Sequence, residues 1–180
     1  HFHIPLQSGS DRILGLMRRR YTSAKFADRI EKVRSLMPDA FIGIDVITGF
    51  PGETEEDFQQ TYDLLARLKP SFLHIFPFSE RPGTPAVDMP DKVPSYISTQ
   101  RVSRLEELCD QLHGEFCAKG VGEESEVLFE STMRGSMMYG YTGNYIRVKA
   151  PYDRSVINKI CRVKLLSMDE NHDLLAEVLG

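Results

Sequence analysis

Cysteine is scarce in this 180-residue chain, and its thiols do not cluster. Cys109, Cys117 and Cys161 are odd in number and widely spaced. That argues against a disulfide framework and suits a reducing, cytoplasmic setting. Cys109 and Cys117 lie two turns apart in a helix-like segment and read as small, half-buried side chains. Iron–sulfur clusters require closely spaced thiolates, which this chain lacks. The histidines are dispersed too. His1, His3, His74, His113 and His172 show no metal-ligand spacing, and no metal site is expected. His3 and His74 fall in strand-like runs, as polar lining or core. No apolar run reaches the ~18 residues of a membrane span. No secretory leader precedes the first strand, although a truncated chain could have lost one. Neither sign of charge dominates, since 22 Lys and Arg against 26 Asp and Glu leave −4. Internal repeats and low-complexity tracts are absent. The chain opens on His1 inside a strand-like run, so a piece cut from a longer protein is expected.

What is present falls into two segments with different patterns, 1–118 and 119–180, the boundary marked near 118–122. The first alternates short apolar runs with helical periodicity. Strands are predicted at Phe2 to Leu6, Phe41 to Ile47 and Phe72 to Phe78. Between them, Ser10 caps a short helix with Ile13, Leu14 and Met17. Thr22 or Ser23 starts a second helix carrying Phe26, Ile30, Val33 and Met37, which Pro38 stops. Thr54 with Asp57 forms a capping-box pattern, amid acidic residues that suit a helix N-terminus. That helix buries Phe58, Tyr62, Leu65 and Leu68, and Pro70 ends it. After a proline-rich crossing, a long helix carries Val102, Leu105, Leu108, Leu112 and Phe116. About three βα units with a parallel sheet and right-handed crossovers follow. Three such strands make half a barrel, with an edge that a second copy could cover by dimerising.

The second segment reads as five short strands punctuated by Gly135, Gly140, Gly143, Pro151 and Asn171, a small antiparallel barrel. Its charge is nearly balanced, but Tyr145, Arg147 and Lys149 alternate with Ile146, Val148 and Ala150. An aromatic flanked by two cations on one face suits base stacking with phosphate contact. Arg162 and Lys164 extend that face from a neighbouring strand. The alternative is an ordinary solvated strand face.

Several residues of the first segment carry two readings. Gln7-Ser8-Gly9-Ser10 is either a ligand loop past a strand end or a polar turn and helix cap. The loop from Gly49 to Glu53 permits close backbone approach, yet many strand–helix turns look alike. Asp45 inside a strand calls for a partner, an arginine being favoured, or else lines the barrel. Arg18, Arg19 and Arg20 suit a helix C-terminus or an anion site.

Four motifs in order, His3–Asp11, Arg18–Thr22, Asp45–Glu53 and Ser79–Ala86, resemble the second half of the radical S-adenosylmethionine (SAM) domain of the methylthiotransferases. The closing barrel resembles the TRAM RNA-binding module of that family. The resemblance implies an α/β fold: a partial TIM-like radical SAM barrel, then a small all-β TRAM/OB-like barrel. It implies that Gln7 and Ser8 face SAM and that the Gly49 loop lies by the adenine. Asp45 and Phe78 would line the same site, and Arg20 would bind the SAM carboxylate or an RNA phosphate. The implied parent cleaves SAM at a [4Fe–4S] cluster and carries a second cluster for sulfur insertion. Its target would be adenine C2 next to the anticodon in the anticodon stem-loop of a tRNA. The Ser79-Glu80-Arg81 wording is most similar to the subgroup acting on N6-threonylcarbamoyladenosine. A ribosomal-protein substrate and a non-catalytic RNA-binding module are the alternatives.

The family's three-cysteine motif is missing here, so the chain by itself is expected to be inactive. Anaerobic reconstitution with iron and sulfide should leave no stoichiometric cluster absorption. A strong visible chromophore would contradict that expectation.

Overall fold

Alternating burial identifies the first sheet. Along β2 (Ile42–Thr48), Ile42, Ile44 and Val46 are fully buried, whereas Asp45 and Ile47 are only partly so. The computed structural model describes residues 1–179. In it β2 lies between β1 (Phe2–Gln7) and β3 (Phe72–Pro77), all parallel. Asp45 pairs in register with His74, and His3 with Gly43. Parallel neighbours require long crossovers. These are α1 (Asp11–Leu16) with α2 (Ser23–Leu36), then α3 (Glu55–Leu68); α4 (Ser95–Ala118) follows β3. Mixed α/β architecture is therefore established.

Local chemistry sets the helix ends. Ser10 and Thr22 cap α1 and α2 by accepting from Ile13 and Lys25 N–H. Thr54 and Asp57 complete a reciprocal capping box on α3, which ends at Lys69 in left-handed conformation. The helices bury Phe26, Ile30, Phe58, Leu65, Leu105 and Leu112 against Leu6, Ile44, Val46 and Leu73 of the sheet. Each fully buried aliphatic side chain contributes roughly 2 kcal/mol relative to exposure. Tyr62 packs at the margin of that core. Arg18, Arg19 and Arg20 do not end a helix: α1 stops at Leu16, and they lie exposed in the turn beyond it.

Two compact units result, His1–Leu112 and the remainder from His113. The division falls within α4, ahead of the expected 118/119 boundary. Its physical reason is that the final turns of α4 pack with the second unit, where His113 meets His172 edge to face at 5.6 Å.

The second unit is a closed five-stranded barrel in the order β4-β5-β6-β8-β7. Its strands are β4 (Glu124–Arg134), β5 (Met137–Thr142), β6 (Arg147–Pro151), β7 (Ile160–Met168) and β8 (Leu174–Val178). Val127, Phe129, Met138, Val148, Val163 and Leu174 are fully buried. The barrel is not wholly antiparallel, because β6 and β8 run parallel through Val148–Leu174 and Lys149–Leu175. The chain passes through β7 before β8 returns beside β6, which reverses the local sense.

Gly140 of β5 pairs in register with Phe129 of β4. A Cβ there would lie 2.3 Å from the Leu128 carbonyl oxygen and 2.8 Å from Val127 Cγ1. Backbone cannot yield as a side chain can, so Gly140→Ala should destabilise the barrel by about 2 kcal/mol. Urea unfolding followed by circular dichroism would measure it.

Candidate functional site

In parallel α/β sheets the groups that meet ligands sit beyond the C-terminal strand ends. Here those ends are Gln7, Thr48 and Pro77, with the loops that follow. Gln7 is buried and takes a left-handed backbone (φ 71°) where the β1–β2 register shifts. Ser8 is fully buried. Its hydroxyl lies 3.3 Å from that of Thr61 on α3 and accepts from Ser10 N–H. Gly9 N–H also donates to Thr61, and a Cβ at Gly9 would stand 2.6 Å from Thr61 Cα. The Ser8 hydroxyl therefore anchors the loop to α3 and is not presented to a ligand, unlike the sequence expectation.

The loop after β2 is held from two sides. Gly49 N–H donates to the Glu53 carboxylate at 2.7 Å, and Arg101 of α4 donates to the same oxygen at 2.7 Å. Both side chains of this ion pair are at least 95% buried. Burial pushes the Glu53 carboxyl up in pKa, opposed by the Gly49 hydrogen bond and the Arg101 charge. Gly49 has φ 75°, and a Cβ would come within 2.7 Å of Ser98 Oγ. Glycine is required there both by conformation and by space.

Two clefts open beside this loop. One, of about 320 Å³, is lined by Gly49, Pro51 and Phe78 on one side and Lys92, Ser95, Ser98 and Thr99 on the other. The second, of about 220 Å³, is more apolar and lies between Ile47, Phe50, Phe78 and Met89, with Arg18 and Arg19 at its wall. Phe50 and Phe78 meet edge to face at 5.3 Å between the clefts. The structure thus joins Gly49 and Phe78 in one cleft. Arg18 and Arg19, not the expected Arg20, line the other. At the end of β2, Thr48 keeps a buried hydroxyl with no hydrogen-bond partner among the described residues.

Asp45 lies apart from these clefts, on the sheet face opposite the helices. Its partner is His3, with no arginine involved. His74 adjoins the pair, its ring 4.4 Å from that of His3. Burial, then the neighbouring His3, lower the His74 pKa, with Asp45 acting in the opposite sense. Chain spacing gave no hint of this group. The signal lay in strand parity: each residue alternates with the buried positions of its own strand, and the parallel register sets Asp45 level with His74, with His3 two residues away, opposite Gly43.

The cysteines do not meet. Cys109 packs on Leu73, whose N–H lies 3.2 Å from its sulfur, and burial raises its pKa. Burial likewise holds the Cys117 thiol up at about 11. Both are inert thiols within a packed helix, so they do not fit an iron–sulfur cluster.

In the barrel, Arg147 and Lys149 lie outward on β6 as expected, but each already holds a carboxylate. Arg147 makes a bidentate pair with Asp173, and Lys149 pairs with Asp169. Tyr145 lies ahead of the strand with φ 70° and stacks on Tyr141 at 5.1 Å. Tyr139 receives the guanidinium groups of Arg134 and Arg147 over its ring. Arg162 and Lys164 belong to β7, which β8 separates from β6 on one side and β4 with β5 on the other. They therefore do not extend the Arg147 face from an adjoining strand. Arg162 pairs with Glu124.

Residues 1–65 match the radical SAM superfamily. A threonylcarbamoyladenosine tRNA methylthiotransferase, MtaB of Bacillus subtilis, is 44% identical over 92% of this chain and 38% of its own length. A tRNA-2-methylthio-N(6)-dimethylallyladenosine synthase of Mycobacteroides abscessus is 52% identical over 70% of this chain and 25% of its own. The chain thus spans about two fifths of such relatives or less. Among solved structures, the radical SAM enzyme coproporphyrinogen III oxidase (HemN) from Escherichia coli covers 91% of this chain and 40% of its own. Its TM-score is 0.53 at 15% identity, a likeness of fold. No helix among the described residues is long and apolar enough to cross a membrane.

The turn after β1 is joined to the start of α3 through Asp57. Its buried carboxylate accepts from Ser10 Oγ at 2.6 Å, from Thr54 N–H at 2.9 Å and from Arg12. Burial alone would raise its pKa; these hydrogen bonds outweigh that and hold it below the usual carboxylate range. A depressed acid contributes stability above its unfolded pKa of about 4 and loses it as pH falls towards the folded value. Asp57→Asn should therefore cost about 2–3 kcal/mol at pH 7, and about 1 kcal/mol less at pH 3. Denaturant titrations of both proteins at the two pH values would show the difference.

Proposed function

We propose that this chain, homologous over most of its length to radical SAM tRNA methylthiotransferases, forms the SAM-facing edge and RNA-contacting barrel of such an enzyme. The observation that carries the reading is the coincidence of homology and geometry. The matched residues 1–65 include β2, whose following loop borders both clefts at Gly49 and Phe50, while Phe78 and the start of α4 complete the walls.

A planar heterocycle with polar arms fits the larger cleft. Gly49 lets the backbone come close, Phe78 offers an aromatic wall, and Ser98 and Thr99 offer hydroxyls. Bound SAM would supply the radical chemistry and the methyl group; the chain's own residues orient it and exclude water. Gln7 stands at the C-terminal end of β1, whereas Asp45, on the helix-free face of the sheet, lies outside these clefts. Arg18 and Arg19 suit a carboxylate or phosphate at the apolar cleft, a role that Arg20 would share from the same exposed turn. The clusters are not furnished by this chain.

The barrel is read as a TRAM-type module. Tyr145 on Tyr141 offers a stacking platform, and Arg147 and Lys149 stand beside it, already oriented by Asp173 and Asp169. Arg162 and Lys164 provide a separate phosphate contact from β7. Because the β6 cations are partly neutralised, the barrel adds register on the tRNA more than affinity.

Within this family we favour N6-threonylcarbamoyladenosine as the substrate. The support is the MtaB relative, 44% identical where dimethylallyladenosine synthases of matching coverage reach 38–39%, and the Ser79-Glu80-Arg81 wording. Deleting the source gene and analysing tRNA nucleosides by mass spectrometry tests the choice. Loss of the methylthio form of threonylcarbamoyladenosine is expected. Loss of the dimethylallyl counterpart would move the chain to the other branch, and unchanged tRNA would overturn the reading.

A further inference from the structure

We propose that His3, Asp45 and His74 form a mononuclear binding site for a divalent d-block cation, Zn²⁺ being the simplest, on the helix-free face of the parallel sheet. The inference does not depend on the methylthiotransferase reading.

Three adjacent strands each contribute one ligand. Their donor atoms all lie within 4.8 Å of one another. Nitrogen and oxygen ligands about 2 Å from zinc stand roughly 3.3 Å apart in a tetrahedron, so small side-chain rotations close the set. His3 and Asp45 already share a hydrogen bond, and His74 is the register partner of Asp45. A metal would take the place of the shared proton. Two neutral imidazoles and one carboxylate with an open position are a donor set that borderline cations favour over Mg²⁺ or Ca²⁺.

The surroundings form a seat for these ligands. Gly43 lies between the other two strands, level with His3, and a Cβ there would stand 3.3 Å from His74 Nε2. The missing side chain leaves the hollow into which His74 fits. Phe72 braces the His74 ring edge-on at 5.1 Å, fixing its orientation as ligand-supporting shells do. The His3 side chain is 49% exposed and that of Asp45 22%, so an ion and its water can enter.

Cobalt(II) titration of the metal-free 180-residue chain reads the site directly. One equivalent should give d–d absorption of low-coordinate cobalt with nitrogen and oxygen ligands, and Zn²⁺ should displace it. His74→Asn and Asp45→Asn should each weaken Zn²⁺ binding tenfold or more, about the loss that follows damage to a metal site. His172→Asn, in the other unit, should leave it unchanged. These variants leave the first three residues intact, so a loss reports the triad and not metal capture by the chain's histidine-bearing start. Should a variant fail to fold, imidazole NMR of the unaltered chain decides. Zn²⁺ should shift the His3 and His74 signals together while those of His113 and His172 stay in place. Absence of cobalt bands, equal affinity in His74→Asn, or shifts confined to His113 and His172 would overturn the site and leave a hydrogen-bonded cluster.

Discussion

The buried ion pair between Glu53 and Arg101 is the constraint on which the rest of the first unit's working end depends. Two charges taken out of water are tolerated only when each is paired and hydrogen-bonded. Arg101 comes from α4, 48 residues beyond Glu53, and Gly49 supplies the second donor to the same carboxylate. The loop after β2 and the start of α4 are thereby tied to one point. Removing either partner would strand the other charge in the interior, a loss of about 3–5 kcal/mol in comparable buried pairs. The pair also explains why α4 can form one wall of the cleft: Arg104, one turn further on, lies over Phe58 at 4.6 Å and pairs with Glu55. Loop, helix start and cleft wall are therefore a single electrostatic unit.

A second buried carboxylate works in the same way on the opposite flank. Asp57 joins the loop after β1 to the start of α3, and Thr61 receives Gly9 one turn later. The acidic run at the start of α3 is thus more than a complement to the helix dipole. Glu53 and Asp57 face inwards as tethers, while the exposed Glu55 reaches the buried Arg101 and the half-exposed Arg104. Rigid strand ends with loops pinned from beneath are what a binding site needs, since preorganised groups lose little freedom when they engage a ligand.

Features set by local chemistry were legible in the sequence. Ser10, Thr22 and the Thr54–Asp57 box act over three residues, and the apolar periods of β2 and α3 report burial directly. What escaped depends on residues distant in the chain. Nothing near Asp45 indicates that its partner is His3 rather than an arginine, because strand order and register decide it. Ser8 looked available because Thr61, its neighbour in space, is 53 residues away. Tyr145 was placed on a strand by alternation, but its left-handed backbone puts it in the preceding turn. Arg162 and Lys164 were assigned to a neighbouring strand because alternation reveals which way a residue faces and says nothing of which strands adjoin.

The parallel junction of β6 and β8 gives the barrel an uneven circumference. The β4–β5 and β5–β6 joins are hairpin ladders between consecutive strands, whereas β6 and β8 share only two register partners and are separated by β7 in sequence. That short seam is flanked by Arg147–Asp173 and Lys149–Asp169, both reaching across from β6 to the approach to β8. Ring closure thus relies on Coulomb attraction at the place where backbone pairing is thinnest. Because such attraction between partly exposed groups is screened by mobile ions, the seam is the part of the circumference whose tightness follows ionic strength.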